Sequence, residues 1–192
     1  MNTAQIETFF AETTKAFHFL EAQYGYQQLE REIKHPEEPR DISAQVKYVS
    51  ARIGVGIGWG VANGFIGVSF VELLQPHVFP SSTSSFPFRD RPNTAKAIGL
   101  YNLADMLNHI DDPDFLLKGI DDFRTHNRRM KTIETSMPEV LAGLAHATQT
   151  YAISILQGDT SIFSQVMKFT LAKQKKLYPG MLLPLYIVDD PS

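Results

Sequence analysis

The sequence predicts an α+β fold with an N-terminal helix, an antiparallel meander sheet of about four strands, and C-terminal helices packed on that sheet. Three changes of pattern support this fold class. Apolar residues recur at three- and four-residue intervals from residue 3 to residue 24, which is typical of one helix face, and Gly25 ends that pattern. From residue 42 to residue 70 apolar residues alternate with polar residues or glycine, which is the period of a strand. The helical period returns after about residue 100.

Composition sets broad limits on what the protein does. The chain has 192 residues, of which 43% are hydrophobic, so we expect a single domain over residues 1–192 with an ordinary packed core. The net charge of -3 provides no overall field that would attract nucleic acid or anionic lipid. The sequence has no cysteines, which excludes disulfides, thiolate nucleophiles and cysteine-based zinc sites. With no signal-peptide pattern and no apolar run of the roughly 18 residues that a membrane span requires, we expect a cytoplasmic protein that does not enter a membrane.

The strand after Arg52 carries glycine at every second position, namely 54, 56, 58 and 60. The large residues between the glycines then share the other face, as a core around Trp59. Asn63-Gly64 is typical of a two-residue hairpin turn. Such a turn predicts the cross-strand pairs Ala62 with Phe65, Val61 with Ile66, Gly60 with Gly67, Trp59 with Val68, Gly58 with Ser69, and Ile57 with Phe70. The glycine side of the hairpin is then almost without side chains near the turn, and farther down it is walled by Val71 and Leu73.

Two explanations of this bare side remain open. A helix of the same chain, such as the N-terminal helix or the one from Met137, can pack closely on it. Alternatively, it is a shallow groove that receives a partner's chain or aromatic side chain. Glycine in a strand costs about 0.5–1 kcal/mol relative to alanine, so one of the two should compensate. A phosphate-binding loop does not fit, because that motif needs its glycines in a turn between a strand and a helix.

Residues 76–94 are predicted to form an irregular loop, because prolines and serines replace any periodic pattern there. The loop contains Phe79, Phe86 and Phe88, which look exposed in this setting. It is either a loosely draped connection or a contact site.

The remainder of the chain is predicted to be mainly helical. Asn102 or Asp105 opens a short helix, and Asp112-Pro113 opens another. A capping box at residues 136–139 starts the clearest helix of the chain, which Gly158 ends. The last helix is capped by Asp159 or Thr160 and runs to about residue 178. The apolar tail 181–188 is expected to dock on the core, as an edge strand.

No catalytic, cofactor or metal motif stands out. The sequence lacks a Gly-x-Ser-x-Gly elbow, and no two histidines lie three or four positions apart. The acidic residues near His109 are explained as helix caps and first-turn acids. The densest basic stretch, residues 124–131, can contact phosphates, but it can equally balance the acidic region before it. We therefore expect a protein that is not an enzyme, holds no cofactor or metal, and does not bind nucleic acid directly.

Four stretches carry a resemblance to a known group of proteins. They are FHFLEAQYGY at 17–26, VKYVS at 46–50, LYNL at 100–103 and ILQGDTSIF at 155–163. Together they resemble small uncharacterised bacterial proteins of the immunity type, which are often encoded beside polymorphic toxins. The resemblance implies an N-terminal helix, a meander sheet and C-terminal helices, with no catalytic motif, and neutralisation of a cognate toxin by binding. This chain departs from the pattern in its glycine-rich strand and in the length of the loop at 76–94.

The leading hypothesis is a non-catalytic protein-binding module, an immunity-like inhibitor that occludes a partner protein such as a toxin or effector. The predicted partner-binding residues are Gly58, Gly60, Gly67, Phe86, Phe88, Arg128 and Arg129. One alternative is a small-molecule binder or enzyme with its pocket against the glycine side of the sheet. Another is a nucleic-acid accessory protein that uses residues 124–131. A homo-oligomer is also compatible with the sequence.

Overall fold

The computed structural model describes residues 3–34, 43–60, 65–81, 83–84, 94–109 and 137–177. In chain order the elements are α1 (Thr3–Ala16), α2 (Phe19–Tyr24), β1 (Gln27–Gln28), β2 (Glu32–Lys34), β3 (Ser43–Val49), β4 (Ile53–Gly60), β5 (Phe65–Glu72), β6 (Thr83–Ser84), β7 (Ala95–Gly99), α3 (Leu100–His109), α4 (Met137–Tyr151), α5 (Ile153–Leu156) and α6 (Ser161–Leu177). This arrangement confirms the predicted α+β class. The predicted helix at 112, the capping box with Ser136, the basic stretch 124–131 and the tail 181–188 lie outside the described residues.

The sheet is built around an antiparallel meander of its four longer strands. β3, β4, β5 and β7 follow one another in both sequence and space, and each pairs antiparallel with the next. Three strands of two or three residues extend this meander, since β1 and β2 both pair with β3 and β6 pairs with β7. The predicted count of about four strands therefore corresponds to the meander. The β6–β7 pair is parallel, which the sequence pattern did not indicate.

The predicted register of the β4–β5 hairpin is wrong by two residues. Trp59 lies opposite Ile66 instead of Val68, and Gly58 lies opposite Gly67 instead of Ser69. The prediction assumed a two-residue turn, whereas the last described pair is Gly60 with Phe65, and the four residues between them lie outside the described residues. Because side chains alternate with a period of two, a shift of two residues leaves every side chain on its predicted face. The assignment of core face and glycine face is therefore correct.

The N-terminal helix is interrupted, although a continuous helix was predicted from residue 3 to residue 24. A turn at residues 17–18 separates α1 from α2. Phe17 and Phe19 are both buried, yet residues two apart on an α-helix point to nearly opposite sides. The break lets both rings enter the core. As predicted, Gly25 ends the second helix, in a left-handed conformation with a φ of 68°.

All the helices that the structure describes share one core with the face of the sheet that carries Trp59. Each contributes to one hydrophobic cluster, and the ring of Phe9 in α1 lies 5.7 Å from that of Trp59. The residues that the strands contribute are Ala44, Val46, Tyr48, Ile53, Val55, Ile57, Trp59, Ile66, Val68, Phe70 and Ile98. Two layers result, with the helices on one side of the sheet. None of the described helices is long and apolar enough to cross a membrane.

The C-terminal helices confirm the predicted stops and cap. The helix from Met137 breaks once, at Ala152, and Gly158 then ends it with a φ of 96°. The carboxylate oxygen Oδ1 of Asp159 accepts a hydrogen bond of 2.9 Å from the backbone N–H of Ser161, the first residue of α6. Hydrogen bonding by the Ser161 side chain, and next by its backbone N–H, lowers the pKa of Asp159. The sequence therefore positions α6 through a local cap, which brings its inner face onto the core.

Candidate functional site

The side of the sheet opposite the helices is formed largely by glycine, and we call it the glycine face. By register it includes Ser43, Gln45, Lys47 and Val49 on β3, Gly54, Gly56, Gly58 and Gly60 on β4, Gly67, Ser69 and Val71 on β5, and Ala97 and Gly99 on β7, and Phe65 is the residue paired with Gly60. The alternation of β4 places its glycines here because the apolar residues between them are buried in the core. Its two ends differ in what covers them.

The end of the glycine face around Gly54 is covered by the protein's own side chains. A Cβ atom at Gly54 would lie 2.9 Å from Cε2 of Phe79 and 3.0 Å from Cδ2 of Leu73. A Cβ atom at Gly56 would lie 3.0 Å from Oγ of Ser69 and 3.4 Å from Cζ of Phe79. At Gly54 these separations are shorter than ordinary contacts, so the ring of Phe79 packs directly on the backbone there, whereas at Gly56 the close neighbour is Ser69.

The position of Phe79 differs from the prediction, and it shows what lies over one end of the glycine face. Phe79 was expected to be exposed, but it is half-buried against the small cluster of Val71, Ala95 and Ala97. The loop at 76–94 is also not wholly irregular, since it contains β6 and a β-bridge between Gln75 and Val78. Over Gly54 the bare side is therefore covered by Phe79 of this loop together with Leu73, and not by a helix.

The end of the glycine face around Gly58 is different. Among the described residues, only Nε2 of Gln45 comes within 4 Å of a Cβ atom placed at Gly58, at a distance of 4.0 Å. Gly58 and its cross-strand partner Gly67 are both half-buried, as is Gly60. We call the patch of Gly58, Gly60, Gly67 and Gln45 the open half of the glycine face.

The structure places three of the seven predicted contact residues together. Gly58, Gly60 and Gly67 share the open half, with Gly58 directly opposite Gly67. The four other residues lie outside the described part of the chain, and they are Phe86, Phe88, Arg128 and Arg129.

Polar side chains border the face in positions that the sequence analysis did not single out. The ammonium group of Lys47 forms an ion pair with the carboxylate of Glu32 on β2, and it lies 5.1 Å from the centroid of the Phe79 ring. Oγ of Ser69 donates a 3.3 Å hydrogen bond to the carbonyl oxygen of Gly56. The sequence could have identified Gln45 and Lys47, because they occupy alternate positions of β3 and the core residues Ala44, Val46 and Tyr48 occupy the positions between and beside them. Lys47 thus links β2, β3 and the covering ring.

A second polar cluster lies between helices α3 and α6. The ammonium group of Lys173 pairs with Oδ2 of Asp105, and the two side chains are only 12% and 2% exposed. The Lys173 ammonium also lies 5.8 Å from the centroid of the Tyr101 ring. Asp105 was predicted as one of two residues that open helix α3. Instead α3 begins at Leu100, so Asp105 stands within the helix.

Two tyrosines of the core have strongly perturbed acidity. Burial raises the pKa of Tyr26 to about 12, and its hydroxyl donates a 3.3 Å hydrogen bond to the carbonyl oxygen of Leu156. Burial also raises the pKa of Tyr48 to about 12, with a further contribution from the carboxylate of Glu21. Both groups are packed between the sheet and the helices, away from the glycine face. Their shifts therefore reflect the core and not a reactive site.

Neither a search for metal-ligand clusters nor comparison with known proteins indicates a function. Within the described ranges, no three His, Cys, Asp or Glu side chains are grouped so that they could hold a metal ion. No known protein family, curated protein or solved structure matches this chain. The resemblance to immunity-type proteins stays a prediction from sequence.

Proposed function

We propose that this protein is a non-catalytic binding module that recognises a partner protein through the open half of the glycine face. In this proposal it acts in the cytoplasm as an immunity-like inhibitor, which neutralises a toxin or effector by occluding part of its surface. The observation that carries the proposal is the contrast between Gly54 and Gly58 in the same strand.

Contacts within the protein explain why the residues at Gly54 and Gly56 carry no side chain. A Cβ atom would lie 2.9–3.0 Å from Phe79 and Leu73 at Gly54, and 3.0 Å from Ser69 and 3.3 Å from Gln45 at Gly56. Gly58 has no such cause among the described residues, since a Cβ atom there would meet only Gln45 at 4.0 Å. Yet glycine in a strand costs about 0.5–1 kcal/mol relative to alanine. Close approach of another molecule is a function that would require glycine at this position.

The geometry favours recognition of a surface over recognition of an edge. β4 is paired along its length with β3 on one side and β5 on the other, so its backbone groups are used within the sheet. A partner therefore cannot add a strand at Gly58. It can place a flat group, such as an aromatic ring or a segment of main chain, on the surface between Gly58 and Gly67. Gln45 beside them offers an amide that can donate or accept a hydrogen bond.

A matched pair of glycine variants tests this proposal. Gly58→Gln projects a polar side chain from the open half, whereas Gly143→Gln projects the same side chain from α4, where a Cβ atom has nothing within 4 Å among the described residues. Both positions accept a Cβ atom, so both variants should fold. Tagged wild type and both variants are used for affinity purification from the native host, and the recovered proteins are identified by mass spectrometry.

We expect wild type and Gly143→Gln to retain one stoichiometric partner that Gly58→Gln loses. The partner should be encoded next to this gene, and its toxicity in a recipient cell should be suppressed by wild type and by Gly143→Gln only. Recovery of the same partner by all three proteins would rule out the open half as the contact. Absence of any stoichiometric partner, together with no toxin or effector gene nearby, would rule out the inhibitor role.

A further inference from the structure

Residues 73–81 cross the glycine face as a strap, which we call the cover segment. One end is fixed beside β5, where the backbone N–H of Leu73 donates a 2.8 Å hydrogen bond to the carbonyl oxygen of Arg52. Shortly after the other end, β6 pairs with β7. Between these two attachments the ring of Phe79 packs on Gly54 and contacts Gly56, and Leu73 at the start of the segment also packs on Gly54. The cover segment is therefore tied to the sheet at both ends and held in the middle largely by one ring.

Among the described residues, few contacts would keep the middle of the cover segment closed. Leu74 and Val78 are large apolar side chains with exposed fractions of 58% and 52%. His77 has a φ of 62°, in the left-handed region that residues other than glycine rarely adopt. Its backbone N–H donates a 3.2 Å hydrogen bond to the carbonyl oxygen of Ser50, at the margin of the sheet. Segments with exposed apolar residues and few buried contacts open at lower free energy than the rest of a fold.

We infer that the cover segment opens locally, without unfolding of the sheet or the helices, and that its opening extends the open half across Gly56 and Gly54. The cover segment thereby gates access to half of the glycine face. Phe79 is the latch, and the ammonium group of Lys47, 5.1 Å from the ring centroid, helps to hold it. The biological meaning of this gate rests on the proposed function, but its existence can be tested without a partner.

The absence of native cysteines permits a single-cysteine reporter of opening. Ala97 is 8% exposed and belongs to the cluster against which Phe79 packs, so a thiol at Ala97→Cys should react only when the cover segment opens. Ala145 is 6% exposed and lies in the helical core, so Ala145→Cys should react only on global unfolding. The rate of labelling by a thiol reagent is measured for both variants in native buffer and at low urea concentrations.

We expect Ala97→Cys to react about tenfold faster than Ala145→Cys or more, after correction for any difference in global stability. Its rate should hardly depend on urea, because local opening exposes little surface. Equal corrected rates for the two thiols, with equal dependence on urea, would show that the cover segment opens only with the whole fold, and would overturn the inference.

Second substitutions in the Ala97→Cys background then test the latch. Phe79→Ala should accelerate labelling by about tenfold or more, and Lys47→Met, which keeps an apolar stem under the ring, by about two- to fivefold. Leu74→Ala is the control within the cover segment and should leave the rate unchanged, since Leu74 is already exposed. If Phe79→Ala does not fold, Phe79→Leu keeps an apolar side chain and should still accelerate labelling.

The outcomes separate this inference from the proposed function. Acceleration in the Phe79 variants, even if no partner is found, supports the gate. Unchanged labelling in every Phe79 variant that folds contradicts it, even if a partner is captured by the open half.

Discussion

Alanine substitutions at Gly54 and Gly58 should change stability in opposite directions, although both residues lie on the same face of the same strand. In neither case does the backbone have a positive φ, so alanine meets no conformational obstacle. The difference lies in what the added methyl group contacts. At Gly54 it would stand 2.9 Å from Cε2 of Phe79, 3.0 Å from Cδ2 of the same ring and 3.0 Å from Cδ2 of Leu73. At Gly58 the one atom within 4 Å from the described part of the chain would be Nε2 of Gln45, at 4.0 Å.

The expected magnitudes follow from these contacts. Forcing a methyl group into a packed site costs about 1–3 kcal/mol, because neighbouring side chains must move or give up contacts. Replacing a strand glycine with alanine returns about 0.5–1 kcal/mol through the lower entropy of the unfolded chain. We therefore expect Gly54→Ala to destabilise the protein by about 1–2 kcal/mol. Gly58→Ala should stabilise it by about 0.5–1 kcal/mol, because the entropic gain is not offset.

Urea denaturation followed by circular dichroism measures both free energies of unfolding, and the midpoint should move without a change in slope. A double-mutant cycle with Phe79→Ala identifies the cause. Removing the ring should relieve most of the cost of Gly54→Ala, with a coupling energy of about 1 kcal/mol or more, and should leave the effect of Gly58→Ala unchanged. If Gly54→Ala stabilised the protein as Gly58→Ala is expected to, or if its cost were the same without Phe79, the ring would not lie over Gly54 in solution.

Three further predictions concern the helices and the core. The free energy of unfolding should fall between pH 10 and pH 12, by about 2–3 kcal/mol for each of Tyr26 and Tyr48. The reason is that their pKa values are raised to about 12 in the folded state, whereas tyrosine in the unfolded chain ionises near pH 10. Urea titrations that show constant stability up to pH 12 would contradict this prediction. Lys173→Met should lower the free energy of unfolding by about 3–5 kcal/mol, because it removes the ion-pair partner of the nearly buried Asp105. The double variant with Asp105→Leu should recover part of that loss. A loss within experimental error would mean that the ion pair does not form. Gly25→Ala should lower the free energy of unfolding by about 1–2 kcal/mol, because alanine is strained at a φ of 68°, and an unchanged thermal midpoint would argue against that helix stop.

The parts of the fold that the sequence predicted are those that depend on local periodicity. The faces of β4 and β5 follow from a period of two, and this is why they survived a register error that came from assuming a two-residue turn. Gly25 and Gly158 were recognised as helix ends because a left-handed C-terminal residue is a local requirement.

Contacts between distant or irregular segments could not be predicted in this way. Lys173 and Asp105 are 68 positions apart, and each looks unremarkable within its own helix. Phe79 lies in a segment without periodicity, so nothing in the sequence indicated that its ring would pack on Gly54. The sequence indicated a face that is bare near the turn and walled farther down by Val71 and Leu73, but the packing of Phe79 on Gly54 required the structure.

The strand next to β4 shows that solubility alone does not explain the glycines. Strands that face solvent usually carry polar side chains, which favour the extended backbone more than glycine does. β3 follows this rule on the same side of the sheet, where Gln45 and Lys47 stand directly opposite Gly58 and Gly56. A side chain of ordinary length is thus compatible with this side of the sheet, and glycine on β4 needs a cause at each position. The ring of Phe79 supplies that cause at Gly54, Ser69 and Gln45 supply it at Gly56, and none of the described side chains comes as close to Gly58. A partner seated on Gly58 would use the same property of the strand that Phe79 uses at Gly54, namely an approach to the backbone that no side chain of the strand obstructs.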